Sequence, residues 1–274
     1  MKHQIIQGDC LDTLGTLPDD HFQTCITSPP YWLLRDYETP GQIGLEESLE
    51  EYLQALVNVF QLVRRVLRPD GTLWLNLGDC YNKKQLMGLP WRLAFALQAD
   101  GWWLRSDIVW HKPNPCPEPV QDRPTRAHEF LFLLSPSPKY FYDADAVKEK
   151  STSLKGSGNG FVRPQRKSTP NGNPEPWQPL ELRNLRDVWK ISSQGLNAAH
   201  FATFPQALVE PCIKAGSRPG DHVLEPFGGA GTVGLVADRL GRSSTLLELY
   251  PEYIELAKQR IYSDAPLFCE VETK

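Results

Sequence analysis

The sequence predicts an α/β fold of the Rossmann-like kind, a mostly parallel sheet with helices on both faces. Three observations predict it. Short apolar strand patterns alternate with helix-period segments along most of the chain. Two of the strand patterns stop abruptly, one in TSPPYW (27–32) and one in EPFGGAG (225–231). No internal repeat and no bilayer-length apolar stretch competes with that reading.

Taken in order, His3–Gln7 reads as a strand ending at Gly8-Asp9, and Phe22–Thr27 as a second. Adjacent prolines lack N–H donors and fix φ, so Pro29-Pro30 must end that strand. Glu46–Leu67 reads as a helix, because Leu49, Leu53, Leu56, Phe60, Val63 and Leu67 recur at spacings of three and four behind a run of acids. Arg68-Pro69-Asp70-Gly71 reads as the turn that closes it, and Thr72–Leu77 as a strand. Leu89–Asp100 is a helix candidate; Asp107–Trp110 and His128–Leu134 are strands. From about 148 to 184 periodicity vanishes and Gly, Ser, Asn and Pro dominate. Beyond it, Pro205–Ala215, Thr232–Leu240 and Pro251–Tyr262 read as helices, with strands at His222–Phe227 and Ser244–Leu249. The expected division is one domain in two parts, 1–149 and 187–274, around a loop region at 150–186.

Composition bounds the function. Hydrophobic residues make up 41% and charged residues 23%, ordinary globular values. No signal-peptide pattern follows Met1, and a cytoplasmic protein without a membrane partner is expected. Six scattered cysteines with no C-x-x-C pair indicate neither a zinc site nor a disulfide framework, so no metal is expected. A net charge of -4 argues against a generally basic coat but leaves room for a local basic patch.

HVLEPFGGAGTVG (222–234) reads as strand, glycine turn and helix. Gly229, Gly231 and Gly234 satisfy the G-x-G-x-x-G spacing of dinucleotide sites, and Glu248 ends the next strand about 20 residues on. The anionic Glu225 beside the turn would oppose a pyrophosphate. It suits a cationic ligand carrying an ammonium and a sulfonium, while Glu248 can accept both hydroxyls of a ribose. S-adenosyl-L-methionine therefore matches better than NAD, and no G-K-[ST] follows to make an ATP loop.

Together the two stretches resemble the permuted DNA amino-methyltransferases, in which the catalytic motif precedes the cofactor motif. Ser28-Pro29-Pro30-Tyr31 resembles their [DNS]-P-P-[YFW] motif, and Glu225 to Thr232 their cofactor turn. His200–Pro205 looks like the segment that holds the methionine end, and Gly8-Asp9-Cys10 like the turn that meets the adenine ring. Residues 110–115 and 122–129 also resemble family segments. The resemblance implies a methyltransferase fold and, as cofactor site, Asp9, Cys10, Thr203, Phe204, Glu225, Phe227, Gly228, Gly229, Gly231, Thr232 and Glu248. The catalytic residues it implies are Ser28, Pro29, Pro30 and Tyr31. Implied partners are double-stranded DNA, a second copy of the chain and a separately acting restriction endonuclease.

The chemistry accounts for SPPY. An exocyclic base amine is a poor nucleophile because its lone pair is delocalised into the ring. Hydrogen bonds to the Ser28 hydroxyl and the Pro29 carbonyl would aim that lone pair at a methyl donor. Tyr31 would offer a stacking face to a base taken out of the duplex. In this family Ser in the first position favours N4 of cytosine, with N6 of adenine the alternative. A ring-carbon enzyme would need a nucleophilic cysteine after proline, which Cys116 and Cys212 offer only in a proline-rich loop and an apolar helical run. An NAD-dependent oxidoreductase leaves SPPY unexplained, and a non-catalytic DNA-binding module leaves both motifs unexplained. For the phosphates, Lys112 after a strand end and Arg163, Arg166 and Lys167 in the loop are the candidates. Residues 151–190 carry seven basic against three acidic residues in a chain of opposite overall sign.

Overall fold

The computed structural model describes residues 1–34, 36, 39–151, 181–193, 204–264 and 270–274. It divides into two compact units, Met1–Asp143 with Arg186–Lys274, and Ala144–Leu185. Thr203, Arg163, Arg166 and Lys167, and most of the 150–186 loop region, lie outside the described residues.

The larger unit contains β1 (Lys2–Gln7), α1 (Cys10–Thr16), β2 (Phe22–Thr27), α2 (Leu49–Val66), β3 (Leu67–Leu77), the small hairpin β4 (Tyr81–Asn82) and β5 (Gln85–Leu86), α3 (Leu89–Ala99), β6 (Trp103–His111) and β7 (His128–Ser135). After the smaller unit's hairpin, β8 (Glu149–Lys150) with β9 (Leu182–Arg183), come β10 (Val188–Lys190), α4 (Gln206–Gly216), β11 (His222–Glu225), α5 (Thr232–Arg239), β12 (Ser243–Glu248), α6 (Pro251–Asp264) and β13 (Glu270–Thr273). Among the described residues the main sheet runs β10-β6-β7-β3-β2-β11-β12-β1-β13. Every neighbouring pair is parallel except those made by β7, which lies antiparallel between β3 and β6. No helix crosses between β6 and β7, so the chain returns beside the strand it has just left.

All six residues of β2 are buried, as expected of a strand covered on both faces. Successive side chains divide between the two sides. Leu246 joins Ile5, Leu235, Ile254, Ala257 and Ile261, whereas Leu247 joins Leu14, Leu56, Phe60 and Leu93 from α1, α2 and α3.

Ser48 caps α2 reciprocally with Glu51, so the helix starts three residues later than its acidic run suggests. The expected turn at Arg68–Gly71 lies inside β3, as a bulge where the register jumps from Phe22–Leu67 to Thr24–Thr72. A side chain at Gly71 would place its Cβ 2.9 Å from the Arg68 carbonyl, so only glycine fits there.

From β2 the chain continues through α2 toward the β6 side, and from β11 through α5 toward the β13 side. The carboxyl ends of these neighbouring strands therefore form a topological switch point, where open α/β sheets place their ligands. TSPPYW follows β2, and the glycine turn follows β11.

Candidate active site

A cleft of about 440 Å³ opens at that switch point. Ser28, Pro29, Pro30 and Tyr31 line it, together with Asp9, Cys10, Phe204, Glu225, Phe227, Gly228, Gly229, Thr232 and Glu248. The sequence-predicted residues from both ends of the chain thus meet in one place. Asn76, Lys112 and Glu129 line it too, as do Tyr250 and Tyr253.

On the glycine side, Glu225 is fully buried. Its Oε1 accepts from Thr27 Oγ1 at 2.5 Å and from the Phe227 N–H at 3.1 Å. Its Oε2 is buried without a partner among the described residues. Burial first, and then nearby Glu248, raise the Glu225 carboxyl well above its ordinary range. Glu248 accepts the Gly229 N–H at 2.5 Å on Oε2 and the Tyr250 N–H at 2.8 Å on Oε1. Burial raises this carboxyl as well.

Gly229 has φ +48°, and a Cβ there would meet only the Phe227 carbonyl, at 3.8 Å. The turn is open to a ligand at this point. Gly231 differs from expectation: it does not line the cleft. A Cβ on Gly231 would lie 2.7 Å from Ala257 Cβ, so its hydrogen serves the close approach of α5 and α6. Gly234 is similar, against Ile261 at 2.6 Å. Asp9 caps α1, accepting the Leu11 N–H at 2.8 Å. Cys10 is the cysteine of the cleft, and burial pushes its thiol up to about 12. Among the described residues neither Cys116 nor Cys212 lines the cleft, so neither is placed as the nucleophile that a ring-carbon enzyme needs.

On the SPPY side, the loop is tied from behind. Tyr52 Oη donates to the Pro30 carbonyl at 2.7 Å, and Trp32 Nε1 to the Glu46 carbonyl at 3.0 Å. Tyr31 Oη donates to Glu129 Oε2 at 2.8 Å. Asn76 Nδ2 reaches the same oxygen at 2.8 Å, Tyr31 Oη at 3.0 Å and Ser28 Oγ at 3.4 Å. Asn76 Oδ1 is buried and has no partner among the described residues. Gly78 makes room for this packing, since a Cβ there would lie 2.8 Å from Tyr31 Cε2. Lys112 pairs with Glu129 Oε1 and sits over the Trp110 ring at 4.3 Å. Its charge is therefore held inside the cleft against a carboxylate, not displayed on the outer surface.

Motif reading gives no role to Asn76, and takes Glu129 only as the last residue of the 122–129 segment. The available signal was polarity out of place: Asn76 interrupts the apolar run LWLNL, and Glu129 opens FLFLL.

The DNA methylase family profile (N6/N4 methyltransferases) matches residues 22–259. The chain belongs to this family. Among similar proteins, the Type II methyltransferase M.Cfr9I of Citrobacter freundii is 44% identical, over 95% of this chain and 88% of that protein. The Type II methyltransferase M.SmaI of Serratia marcescens is 43% identical, over 94% and 90%. Of solved structures, the cytosine-N4-specific PvuII DNA methyltransferase superposes with a TM-score of 0.71 over 94% of this chain and 87% of its own. At 23% identity that likeness speaks for the fold. A DNA modification methylase of Thermus thermophilus, solved in complex with S-adenosyl-L-methionine, superposes with a TM-score of 0.66 at 26% identity, over 98% and 99%.

Proposed function

We propose that this DNA methyltransferase transfers a methyl group from S-adenosyl-L-methionine to the exocyclic N4 amine of a cytosine turned out of duplex DNA. The observation that carries the reading is the Ser28 hydroxyl at the end of β2, in the same cleft as the glycine turn. The residues fit the cofactor. The open turn at Gly229 admits close approach, Glu248 on the cleft wall is a carboxylate able to accept ribose hydroxyls, and the Glu225 Oε2, without a partner among the described residues, offers an acceptor for a cationic group. When bound, the cofactor supplies an electrophilic methyl on a sulfonium.

The chain's own residues do the rest. Ser28 Oγ and the Pro29 carbonyl accept the amine hydrogens and turn the nitrogen lone pair toward the cofactor side. The buried Asn76 Oδ1, an acceptor without a donor, suits a substrate whose reacting group is an N–H donor. Tyr31 gives the base a face to rest on, and Glu129 fixes the ring through Tyr31 Oη. Ser28 is neutral, as in the N4-cytosine members that the SPPY motif resembles.

The test is nucleoside mass spectrometry on DNA from cells expressing the chain. N4-methylcytosine is the expected product. N6-methyladenine alone would reject the cytosine reading in favour of adenine. The Type II relatives support adding a separately acting companion restriction endonuclease to the proposal; a second copy of the chain and a cytoplasmic location are added on the family resemblance alone. Among the described residues no helix is long and apolar enough to cross a membrane.

Phosphate binding falls to the basic segment in the same proposal. Arg183, one of its seven basic residues, is paired with Glu149 at 2.8 Å, and Arg163, Arg166 and Lys167, which fall within five positions of one another, are the cluster to test. Replacing these three by Ala is expected to weaken DNA binding and to flatten its salt dependence by up to about three counterions. Cofactor affinity should not change. Titrations at several salt concentrations decide, and an unchanged slope would move the DNA contact elsewhere.

A further inference from the structure

Directly after SPPY the chain does something that neither the cofactor site nor the acceptor pocket requires. Trp32 turns into the core at 4% exposure, but Leu33 and Leu34 stand out at 56% and 60%. Leu33 has φ +55°, a left-handed conformation that turns normally give to Gly, Asn or Asp. Strain of this kind persists only where the surroundings enforce it. Here they do: the Leu33 N–H donates to the Gly44 carbonyl at 2.7 Å, and the Leu34 N–H to the Tyr31 carbonyl at 3.3 Å. Gly44 packs so closely that a Cβ would lie 3.1 Å from the Tyr31 carbonyl. Leu45, 43% exposed, follows it. The outcome is a tied apolar turn at Leu33 and Leu34, on the rim of the cleft that Leu34 itself lines.

Building on the base-extrusion reading above, we propose that Leu33 and Leu34 form a wedge that enters the base stack and fills the gap left by the extruded nucleotide. Three residues of chain span at most about 10 Å, so the turn lies within about three stacked bases of the Tyr31 face. Two exposed leucines match the apolar faces of neighbouring bases, which apolar wedges separate in other DNA-bending proteins. The tied backbone keeps the turn ordered before DNA arrives, so little ordering is left to the moment of entry.

The test compares two duplexes that carry the methylation site mapped from modified DNA. One is fully paired, and the other has an abasic residue opposite the target base. For the Leu33→Ala/Leu34→Ala variant, the single-turnover rate on the paired duplex is expected to fall about 10- to 100-fold, the rate equivalent of a modest share of the unstacking free energy. On the abasic duplex, where opening is already prepaid, it should stay within about threefold of wild type. Leu33→Met/Leu34→Met should restore the paired-duplex rate, and calorimetric affinity for S-adenosyl-L-methionine should be unchanged in both variants. Equal losses on the two duplexes, no loss on either, or a fall in cofactor affinity would each overturn the wedge. If the double alanine variant does not fold, Leu34→Ser alone carries the same comparison. Failure of wild type to methylate either duplex would instead overturn the base-extrusion reading itself.

Discussion

Replacing Ser28 by Ala is expected to lower the single-turnover rate of methyl transfer by about 10²–10³-fold, the usual worth of one hydrogen-bonding group aimed at the reacting atoms. Affinity for S-adenosyl-L-methionine should stay at the wild-type value, because Ser28 is not among the groups that hold the glycine turn. That turn rests on Glu248, which binds the Gly229 N–H, and on Glu225, which binds the Phe227 N–H. The loop should also keep its shape without the hydroxyl. Tyr52 holds the Pro30 carbonyl and Trp32 holds Glu46 whatever stands at position 28. The loss should therefore appear in the chemical step and not in folding. Tyr31→Ala is the companion variant. It should weaken productive base binding by about 1–3 kcal/mol, the range for one base on one aromatic ring. It also leaves Glu129 with Asn76 and Lys112 as its remaining partners. Single-turnover assays with saturating cofactor separate the two effects. A full wild-type rate in Ser28→Ala would remove SPPY from the reaction.

The two motifs were legible because each breaks a local rule. Paired prolines at the end of an apolar strand, and a run of glycines between strand and helix, have no use in a regular element. The elements next to them followed from periodicity, and the sheet's parallel character from the alternation of helix and strand. What remained hidden depends on sheet order, which a sequence does not print. Tyr31 and Glu129 are 98 residues apart and meet only because β7 returns antiparallel beside β3. Gly231 fits the dinucleotide spacing as well as Gly229 does, and only the approach of α6 shows that its task is packing. α1 has seven residues, three of them buried, too few for a period to emerge. β10 and β13 are edge strands of three and four residues, exposed except for the buried Trp189 and the half-buried Val271, so no apolar run announces them.

Cofactor binding should fail on two independent substitutions at the glycine side. Glu248→Ala is expected to weaken S-adenosyl-L-methionine by about 1.5–3 kcal/mol, the worth of hydrogen bonds to a charged group. It removes the proposed acceptor for the ribose and also frees the Gly229 and Tyr250 N–H groups that the carboxylate now holds. Glu248→Gln is no silent control, since both carboxylate oxygens accept backbone donors and an amide NH₂ would face one of them. Gly229→Val should block binding by another route. Its Cβ would meet only the Phe227 carbonyl, at 3.8 Å, so the rest of the side chain would extend into the cleft, at a φ of +48° that a β-branched residue resists. The pH dependence has a definite sign. Burial holds Glu225 and Glu248 above the ordinary carboxylate range, so both take up protons at higher pH than exposed acids do. A cationic ligand favours their ionised forms. Binding should therefore release protons, and affinity should rise with pH until the raised values are passed. Calorimetry in buffers of different ionisation enthalpy reads both effects, and wild-type affinity in Glu248→Ala and Gly229→Val would detach the cofactor from this turn.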